Sequence, residues 1–469
     1  MTQERLQFMA GAIEGFYGPP WSREERHELF SWMSAWGLNT YLYAPKDDLH
    51  HRTLWREPYS GAAAEDLREL VRACREGGID FIYGLGPGLD IRYSAEADLD
   101  RLRARFEQML ALGCEWFALL FDDIPDRLPP EDIERWASPA SAQAYVANTI
   151  LGWLRERTRS GRLFFCPTPY CGRMADAGLG GPDYLPALGR ELHPEIDIFW
   201  TGPDIVSREI TAAHVRSVGG VLRRKPVLWD NLHANDYDGR RFFCGPYSGR
   251  TPDVRAEAAG ILSNPNTEFP LNFVPLRTLA DFARSGTAWD PRDAYTAAMR
   301  EWLPAFDSVG RTLTFDELVL LGDCYYLPYE DGAGADAFFR GARALLERPP
   351  GEWGSDALQV RAEAARLRDL CVKLTELRLR PLFHALSRRI WDLREEVDLL
   401  DRYVAMKSED PAARARSDFH LPGTFRGGFV ARLQRLLMMK PDGTFVVADG
   451  PGDGRPLDVH PGGPGEAER

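Results

Sequence analysis

An alternation of eight short apolar runs with amphipathic stretches, over residues 8–272, constrains the fold more than any other feature. Apolar positions between the runs recur with helical spacing, as in 22–36 and 64–77. Ser22 and Glu25 have the spacing of a capping box, which predicts a helix start there. The runs are 8–18, 38–46, 80–88, 116–123, 162–170, 196–202, 226–231 and 261–264. Eight such units predict an α/β fold, a (β/α)8 TIM barrel.

Polar and aromatic side chains gather where the predicted strands end, which in a barrel is the face that holds active sites. Asp122 and Asp123 directly follow the apolar run 116–121. Adjacent residues leaving a strand point in different directions, so two carboxylates could serve different parts of one substrate. Alternatively, one of them caps the next helix and the other is solvated.

The chain changes character after Asp290, where strand-like runs give way to helical spacing. The predicted helices are 292–307, 314–326, 334–348, 355–380 and 381–407. We therefore predict a barrel over 1–288, a helical stalk domain over 289–408 and a C-terminal extension over 409–469. Within the extension, 429–439 is expected to form one more helix, and 451–469 is expected to be disordered.

The last long helix carries an apolar seam with steps of four and three residues. Its members are Leu386, Ile390, Leu393, Val397, Leu400 and Val404. This seam predicts either the core of an intramolecular bundle or a homodimer contact.

Composition excludes several classes of partner. A formal net charge of −13 leaves no basic surface for nucleic acid. No secretory signal and no run of about 18 apolar residues is present, so we expect a cytoplasmic protein without a membrane partner. Seven cysteines without CxxC spacing predict reduced thiols. Asp236 to Gly239 lacks the full spacing of a calcium loop, and His50-His51 lacks a partner cluster, so we predict no metal and no cofactor.

Seven motifs, in the same order along the chain, resemble those of glycoside hydrolase family 84, a β-N-acetylglucosaminidase family that includes hydrolases of protein-linked O-GlcNAc. They are EGFYGPPW at 14–21, LNTYLYAPKDD at 38–48, FALLFDDI at 117–124, WTGP at 200–203, WDNLHANDY at 229–237, LSNPN at 262–266 and DCYYLPYE at 323–330. The resemblance covers roughly residues 8 to 405. It includes the helical region, which implies closeness to the eukaryotic members with a helical stalk.

The resemblance implies a retaining, exo-acting hydrolysis in which the substrate's own 2-acetamido group is the nucleophile. Asp122 would accept a hydrogen bond from the acetamido N–H and stabilise the positive oxazoline. Asp123 would protonate the leaving oxygen and then deprotonate water. Because one carboxyl group must be ionised and the other protonated, we expect a bell-shaped pH dependence of kcat/KM.

The resemblance also assigns a sugar pocket. Gly15, Lys46 and Asn264 would contact sugar hydroxyls. Asn231 and Asp236 would bind the acetamido or hydroxyl groups, and Tyr170 would line the acetamido pocket. Trp229 and Tyr17 would contact the apolar faces of the sugar. Lys46 is one of only five lysines in an arginine-rich chain. A lysine at this position suits a hydrogen-bond donor that acts as a point charge more than a planar guanidinium group does. The alternatives are a solvated lysine and aromatic side chains that merely pack in the barrel.

The expected substrate is a GlcNAc-bearing glycoprotein, a bacterial glycan or a small glycoside, and the resemblance permits a homodimer through the helical domain. A rival hypothesis is a sugar-binding protein with an inactive site. The presence of both Asp122 and Asp123 favours the enzyme, since a binding protein has no chemical need for the acid.

Overall fold

The central element is a closed barrel of eight parallel strands. The computed structural model describes residues 8–416, 428–440 and 443–448. The strands pair in sequence order, and the eighth pairs with the first. They are β1 Met9–Glu14, β2 Thr40–Tyr43, β3 Asp80–Leu85, β4 Trp116–Leu120, β5 Arg162–Cys166, β6 Asp197–Trp200, β7 Val227–Asp230 and β8 Gly260–Ser263. Each overlaps one predicted run, so the (β/α)8 prediction is confirmed.

Helices follow the strands and cover the outside of the barrel. They are α1 Arg23–Trp36, α2 Gly61–Glu76, α3 Glu96–Ala111, α4 Pro139–Arg155, α5 Gly172–Asp176, α6 Tyr184–Glu191, α7 Ala212–Leu222, α8 Val254–Glu257 and α9 Phe273–Arg284. Short 3-10 turns add Leu49–His51, Pro130–Asp132 and Phe269–Asn272. The predicted capping box begins α1: the Glu25 amide donates to Ser22 Oγ at 3.2 Å, and the Ser22 amide donates to Glu25 Oε2 at 2.7 Å.

Helices replace strands from Pro291 to Glu409. They are α10 Pro291–Trp302, α11 Phe315–Cys324, α12 Ala333–Leu346, α13 Gly354–Thr375 and α14 Arg380–Glu409, with 3-10 turns at Leu303–Phe306 and Pro350–Glu352. All six seam residues of α14 are buried in the same hydrophobic core as Leu367 and Leu370 of α13. The seam therefore packs within the chain, and it is not free to form a dimer contact.

The C-terminal extension departs from the prediction of a single helix over 429–439. Helix α15 spans Gly428–Gln434, but β10 follows at Leu437–Met439 and pairs antiparallel with β11, Thr444–Val447. On its other side β11 pairs with β9, Ala415–Arg416. The helix prediction is wrong after Gln434 because these pairings satisfy the backbone of a run too short to choose between helix and strand by its own pattern. Residues 451–469 lie outside the described residues.

A layer of apolar side chains fills the inside of the barrel below the carboxyl ends of the strands. Its fully buried members include Ile13, Leu42, Phe164 and Phe199. Because the interior is packed, a ligand must bind above this layer, where the strand-end loops begin.

Candidate active site

A cleft of about 430 Å³ opens at the carboxyl ends of the strands. This volume suits a small-molecule ligand such as one sugar unit. All ten residues of the predicted site line it: Gly15, Tyr17, Lys46, Asp122, Asp123, Tyr170, Trp229, Asn231, Asp236 and Asn264. The folded chain thus brings together side chains from six strand ends that are far apart in the sequence.

Asp122 is fixed by Lys46 and leaves one carboxylate oxygen unused. Lys46 Nζ donates to Asp122 Oδ2 at 2.6 Å, and both side chains are largely buried. Asp122 Oδ1 is buried without a hydrogen-bond partner among the described residues. Burial alone would raise the pKa of Asp122, but the cations of Lys46 and Arg52 outweigh it and hold that pKa below its ordinary value. Asp122 Oδ1 is therefore an ionised acceptor in the cleft to which no described residue donates.

Asp123 adopts a left-handed backbone conformation, with φ of 50°. This conformation is uncommon for a residue with a side chain, and it breaks the alternation of a strand. Asp123 therefore faces the same cleft as Asp122. Its Oδ1 accepts from the Tyr170 hydroxyl and its Oδ2 from the Tyr17 hydroxyl, each at 2.9 Å. Partial burial raises the pKa of Tyr17 and deeper burial that of Tyr170, so both phenols stay protonated and act as donors.

The opposite wall is an amide network beside an indole ring. Trp229 Nε1 donates to Asn231 Oδ1 at 3.1 Å, and Asn264 Nδ2 donates to the same oxygen at 3.0 Å. Asn231 Nδ2 donates to the Ile205 carbonyl at 2.7 Å. Asn264 Oδ1 is buried and has no partner among the described residues. Like Asp122 Oδ1, it is an acceptor that a sugar hydroxyl or amide could satisfy.

Gly15 and Asp236 shape the remaining edge. A Cβ atom on Gly15 would lie 2.7 Å from Trp229 Cζ2, so only glycine leaves room for the indole. The Tyr17 amide donates to Asp236 Oδ2 at 2.9 Å, and burial raises the pKa of Asp236. These contacts join the loop after β1 to the loop after β7.

Six further residues line the cleft that the sequence did not assign to the site: Cys166, Thr201, Ile205, Val206, Ala234 and Tyr237. Arg52 was also missed, although it contacts both Tyr17 and Asp123. Thr201, Ala234 and Tyr237 lie within matched motifs, which was a signal for them. For Ile205, Val206 and Arg52 the only signal was proximity, since Ile205 and Val206 follow WTGP, and Arg52 follows LNTYLYAPKDD.

Neither a metal-binding cluster nor a membrane-spanning helix occurs in the part of the chain that the structure describes. Within 8–416, 428–440 and 443–448, no three His, Cys, Asp or Glu side chains form a group able to hold a metal ion. Over the same ranges, no helix has the length and apolar character needed to cross a membrane.

A closed (β/α)8 barrel with two carboxylates and a network of amides at its carboxyl face defines a glycoside hydrolase of the barrel class. Residues 10–314 match the family model described as beta-N-acetylglucosaminidase. The chain belongs to this β-N-acetylglucosaminidase family, as the resemblance to glycoside hydrolase family 84 predicted.

Known proteins support this placement. The chain is 45% identical over 279 residues to protein O-GlcNAcase of Rattus norvegicus and, equally, to that of Mus musculus, over 60% of this chain. It spans only 30% of the length of these curated relatives. An O-GlcNAc hydrolase mutant from Thermobaculum terrenum superposes with a TM-score of 0.76 at 30% identity, over 87% of this chain and 86% of that one. CpGH84B, at 23% identity and a TM-score of 0.72 over 86% and 69%, shares the fold.

Proposed function

We propose that this protein removes terminal β-linked GlcNAc by a retaining, substrate-assisted hydrolysis. Asp122 is the main support, because it combines a lowered pKa with a buried oxygen that lacks a protein donor. A substrate N–H is a suitable donor for such an oxygen.

In the first step, the acetamido carbonyl oxygen attacks the anomeric carbon while the bond to the leaving oxygen breaks. Asp123 gives its proton to that leaving oxygen. Asp122 accepts the acetamido N–H, which orients the carbonyl group and stabilises the positive charge of the oxazoline. Two inversions at one carbon give net retention.

In the second step, water attacks the anomeric carbon and loses a proton to Asp123. The bond between that carbon and the oxazoline oxygen breaks, which restores the acetamido group. Tyr17 and Tyr170 orient the Asp123 carboxyl group through both steps.

The remaining residues of the cleft bind the sugar in this proposal. Lys46, Asn264 and the Gly15 backbone meet hydroxyl groups, and Asn231 and Asp236 meet the acetamido or hydroxyl groups. Tyr170 lines the acetamido pocket, while Trp229 and Tyr17 supply its apolar walls. Buried donors and acceptors of this kind replace the water that a sugar loses on binding.

Protein-linked O-GlcNAc is the proposed substrate, in keeping with the names of the rat, mouse and Thermobaculum terrenum relatives. A bacterial glycan or a small glycoside is the alternative. Seven buried free thiols suit the reducing cytoplasm, where we place the reaction. A homodimer stays part of the proposal, but it must use surfaces other than the buried α14 seam, and a monomeric mass in solution would remove it.

Turnover of an aryl N-acetyl-β-glucosaminide and its N-trifluoroacetyl analogue tests the mechanism. Fluorine withdraws electrons from the carbonyl oxygen, so kcat/KM should fall by at least about tenfold, which corresponds to about 1.4 kcal/mol. Asp122→Asn should lose about 10²–10³-fold in kcat on the acetyl substrate, because its charge no longer stabilises the oxazoline. Asp126→Asn, an exposed acid of the same loop, is the control.

Two outcomes would contradict the proposal. Equal rates on both substrates, with Asp122→Asn unimpaired, would mean that the acetamido group takes no part. Sugar binding without any turnover by the wild type would establish the binding-protein hypothesis instead.

A further inference from the structure

We infer that Arg52 is a positioning residue that holds Asp123 in its proton-donating geometry. This inference rests on the proposed role of Asp123 as general acid and base. Arg52 follows the 3-10 turn Leu49–His51 in the loop after β2, so it reaches the site from a different strand than Asp123. It does not line the cleft, and it would act through other residues.

The two terminal nitrogens of Arg52 contact two different parts of the acid site. Nη1 donates to the Tyr17 hydroxyl oxygen at 2.8 Å, and Nη2 donates to the backbone carbonyl of Asp123. A planar fork can make both hydrogen bonds at once, whereas a lysine offers a single point charge. The side chain therefore links the main chain of Asp123 to the phenol that contacts its carboxylate.

The first consequence concerns the backbone. For a residue other than glycine, a backbone angle φ of 50° is unfavourable and persists only where the surroundings hold it. The hydrogen bond from Arg52 to the Asp123 carbonyl is such a restraint, since the carbonyl orientation follows the backbone angles of Asp123. Without it, Asp123 could relax toward an ordinary conformation and turn its carboxyl group out of the cleft.

The second consequence concerns a hydrogen atom. Arg52 can only donate, so it occupies a lone pair of the Tyr17 hydroxyl oxygen. The hydroxyl hydrogen is then left for Asp123 Oδ2, at 2.9 Å. Tyr17 is half-exposed, and the hydrogen bond from Arg52 fixes the direction of its hydroxyl group.

The loop that carries Arg52 is itself anchored. The Gly86 amide donates to the His51 carbonyl at 2.9 Å, and the buried His51 ring contacts the Gly84 carbonyl through Nδ1 at 2.9 Å. Burial lowers the pKa of His51 to about 4, so its ring stays neutral at neutral pH. Two contacts to the end of β3 therefore hold Arg52 from the barrel side, which is what a positioning residue needs.

Arg52→Ala and Arg52→Lys test the inference on two aryl glycosides, one with a good leaving group and one with a poor one. Only the poor leaving group needs a proton from Asp123. We expect kcat/KM on the poor leaving group to fall about tenfold to a hundredfold in both variants, as for a slightly misplaced catalytic group. The activated substrate should lose far less, and Asp123→Asn should show the same pattern more strongly.

Arg56→Ala is the matched control. Arg56 lies four residues further along the same loop and pairs with Asp98 through Nε at 2.9 Å, away from the acid site. Its loss should affect both substrates equally, if at all. Added guanidinium ion should partly restore the rate of Arg52→Ala on the poor leaving group.

Equal losses on both substrates, or full activity in Arg52→Ala, would overturn the inference, because a purely structural role does not depend on the leaving group. If Arg52→Ala fails to fold, Arg52→Lys decides the question, since it keeps the charge and loses the fork. Sensitivity to N-trifluoroacetylation reports on Asp122 and should persist in both variants. Its absence from the wild type would instead show that the proposed mechanism had failed.

Discussion

At the scale of single residues, the contact between Lys46 and Asp122 sets the protonation state of the oxygen that meets the substrate. Burial favours the neutral carboxyl group, and the nearby ammonium favours the ionised one. The ammonium prevails, so the pKa of Asp122 lies below its ordinary value. The acid limb of kcat/KM that belongs to Asp122 should therefore lie below pH of about 3.9, the ordinary value for Asp.

Removing the charge in Lys46→Met should move that acid limb to higher pH. Asp122 loses its largest stabilising charge while its burial remains, so its pKa rises and protonation inactivates it earlier on the way down. The check is the pH dependence of kcat/KM. The pH at the midpoint of the acid limb is compared, and not the maximum value of kcat/KM, because Lys46→Met also weakens sugar binding. Lys225→Met is the control, since Lys225 is exposed and donates to the Ala256 carbonyl, away from the cleft. If the acid limb of Lys46→Met stayed at the pH of the wild type, a group other than Asp122 would control it.

Asp122, Asp123 and Lys46 could be predicted from the sequence because they lie in short motifs at the ends of strands. Asp122 and Asp123 stand together after an apolar run, and Lys46 stands out in a chain with few lysines. Arg52 could not be predicted in this way. Its contacts join positions 35 and 71 residues apart, and arginine is so frequent here that another one carries no signal.

At the scale of elements, a buried ion pair fixes the end of β7. Asp230 faces away from the cleft between Trp229 and Asn231, which line it. Arg250 Nε and Nη2 each donate to the Asp230 carboxylate at 2.7 Å. Arg250 Nη2 also donates to the Ser207 carbonyl at 2.8 Å, so it ties the loop after β6 to β7. The same loop supplies the Ile205 carbonyl that receives the Asn231 amide.

Arg250→Met should destabilise the protein by about 3–5 kcal/mol, because it leaves the buried Asp230 carboxylate unpaired. Sugar affinity should also fall, since the loop that orients Asn231 loses its anchor. Denaturant unfolding and the KM of an aryl glycoside measure the two effects. Arg216→Met is the control, because its pair with Glu257 is exposed and its loss should be undetectable. A stable Arg250→Met would show that solvent reaches Asp230.

Element prediction succeeded where pattern and length agree. The barrel strands were predicted because eight apolar runs alternate regularly with helical stretches, and the long helix α14 because its apolar residues recur at steps of three and four. The pair β10 and β11 was missed because each strand has only three or four residues, and β9, the other partner of β11, is more than twenty residues away in the chain. Such short apolar runs obtain their conformation from pairing that no local pattern contains.

At the scale of the whole molecule, the hydrophobic core of the helices extends into the barrel part of the sequence. Phe242, Leu271 and Val274 belong to the barrel part of the sequence, yet they are buried in the hydrophobic cluster of the helices. The amides of Cys244 and Gly245 donate to the carbonyls of Tyr325 and Tyr326 at 2.9 and 2.7 Å. The boundary proposed at residue 288 therefore separates two kinds of structure that are not independent of each other.

The contact between the barrel and the helices also supports a wall of the cleft. The Tyr329 hydroxyl, in the loop after α11, donates to the backbone carbonyl of Val206, which lines the cleft. Displacing that loop should therefore affect the cleft as well as stability. A side chain at Gly245 would displace the loop after α11, because a Cβ atom there would lie 2.5 Å from the Tyr326 carbonyl oxygen.

Gly245→Ala should thus destabilise the protein by about 1–3 kcal/mol, as other overpacked sites do, and lower kcat/KM in the same variant. Gly239→Ala is the matched control, since it lies in the same loop and its Cβ would meet nothing within 4 Å. Denaturant unfolding and aryl glycoside turnover of the two variants measure the difference. Loss of stability with unchanged kcat/KM would mean that the helices support the barrel without shaping its cleft. Loss of both, confined to Gly245→Ala, would make the helical region a structural part of the active site.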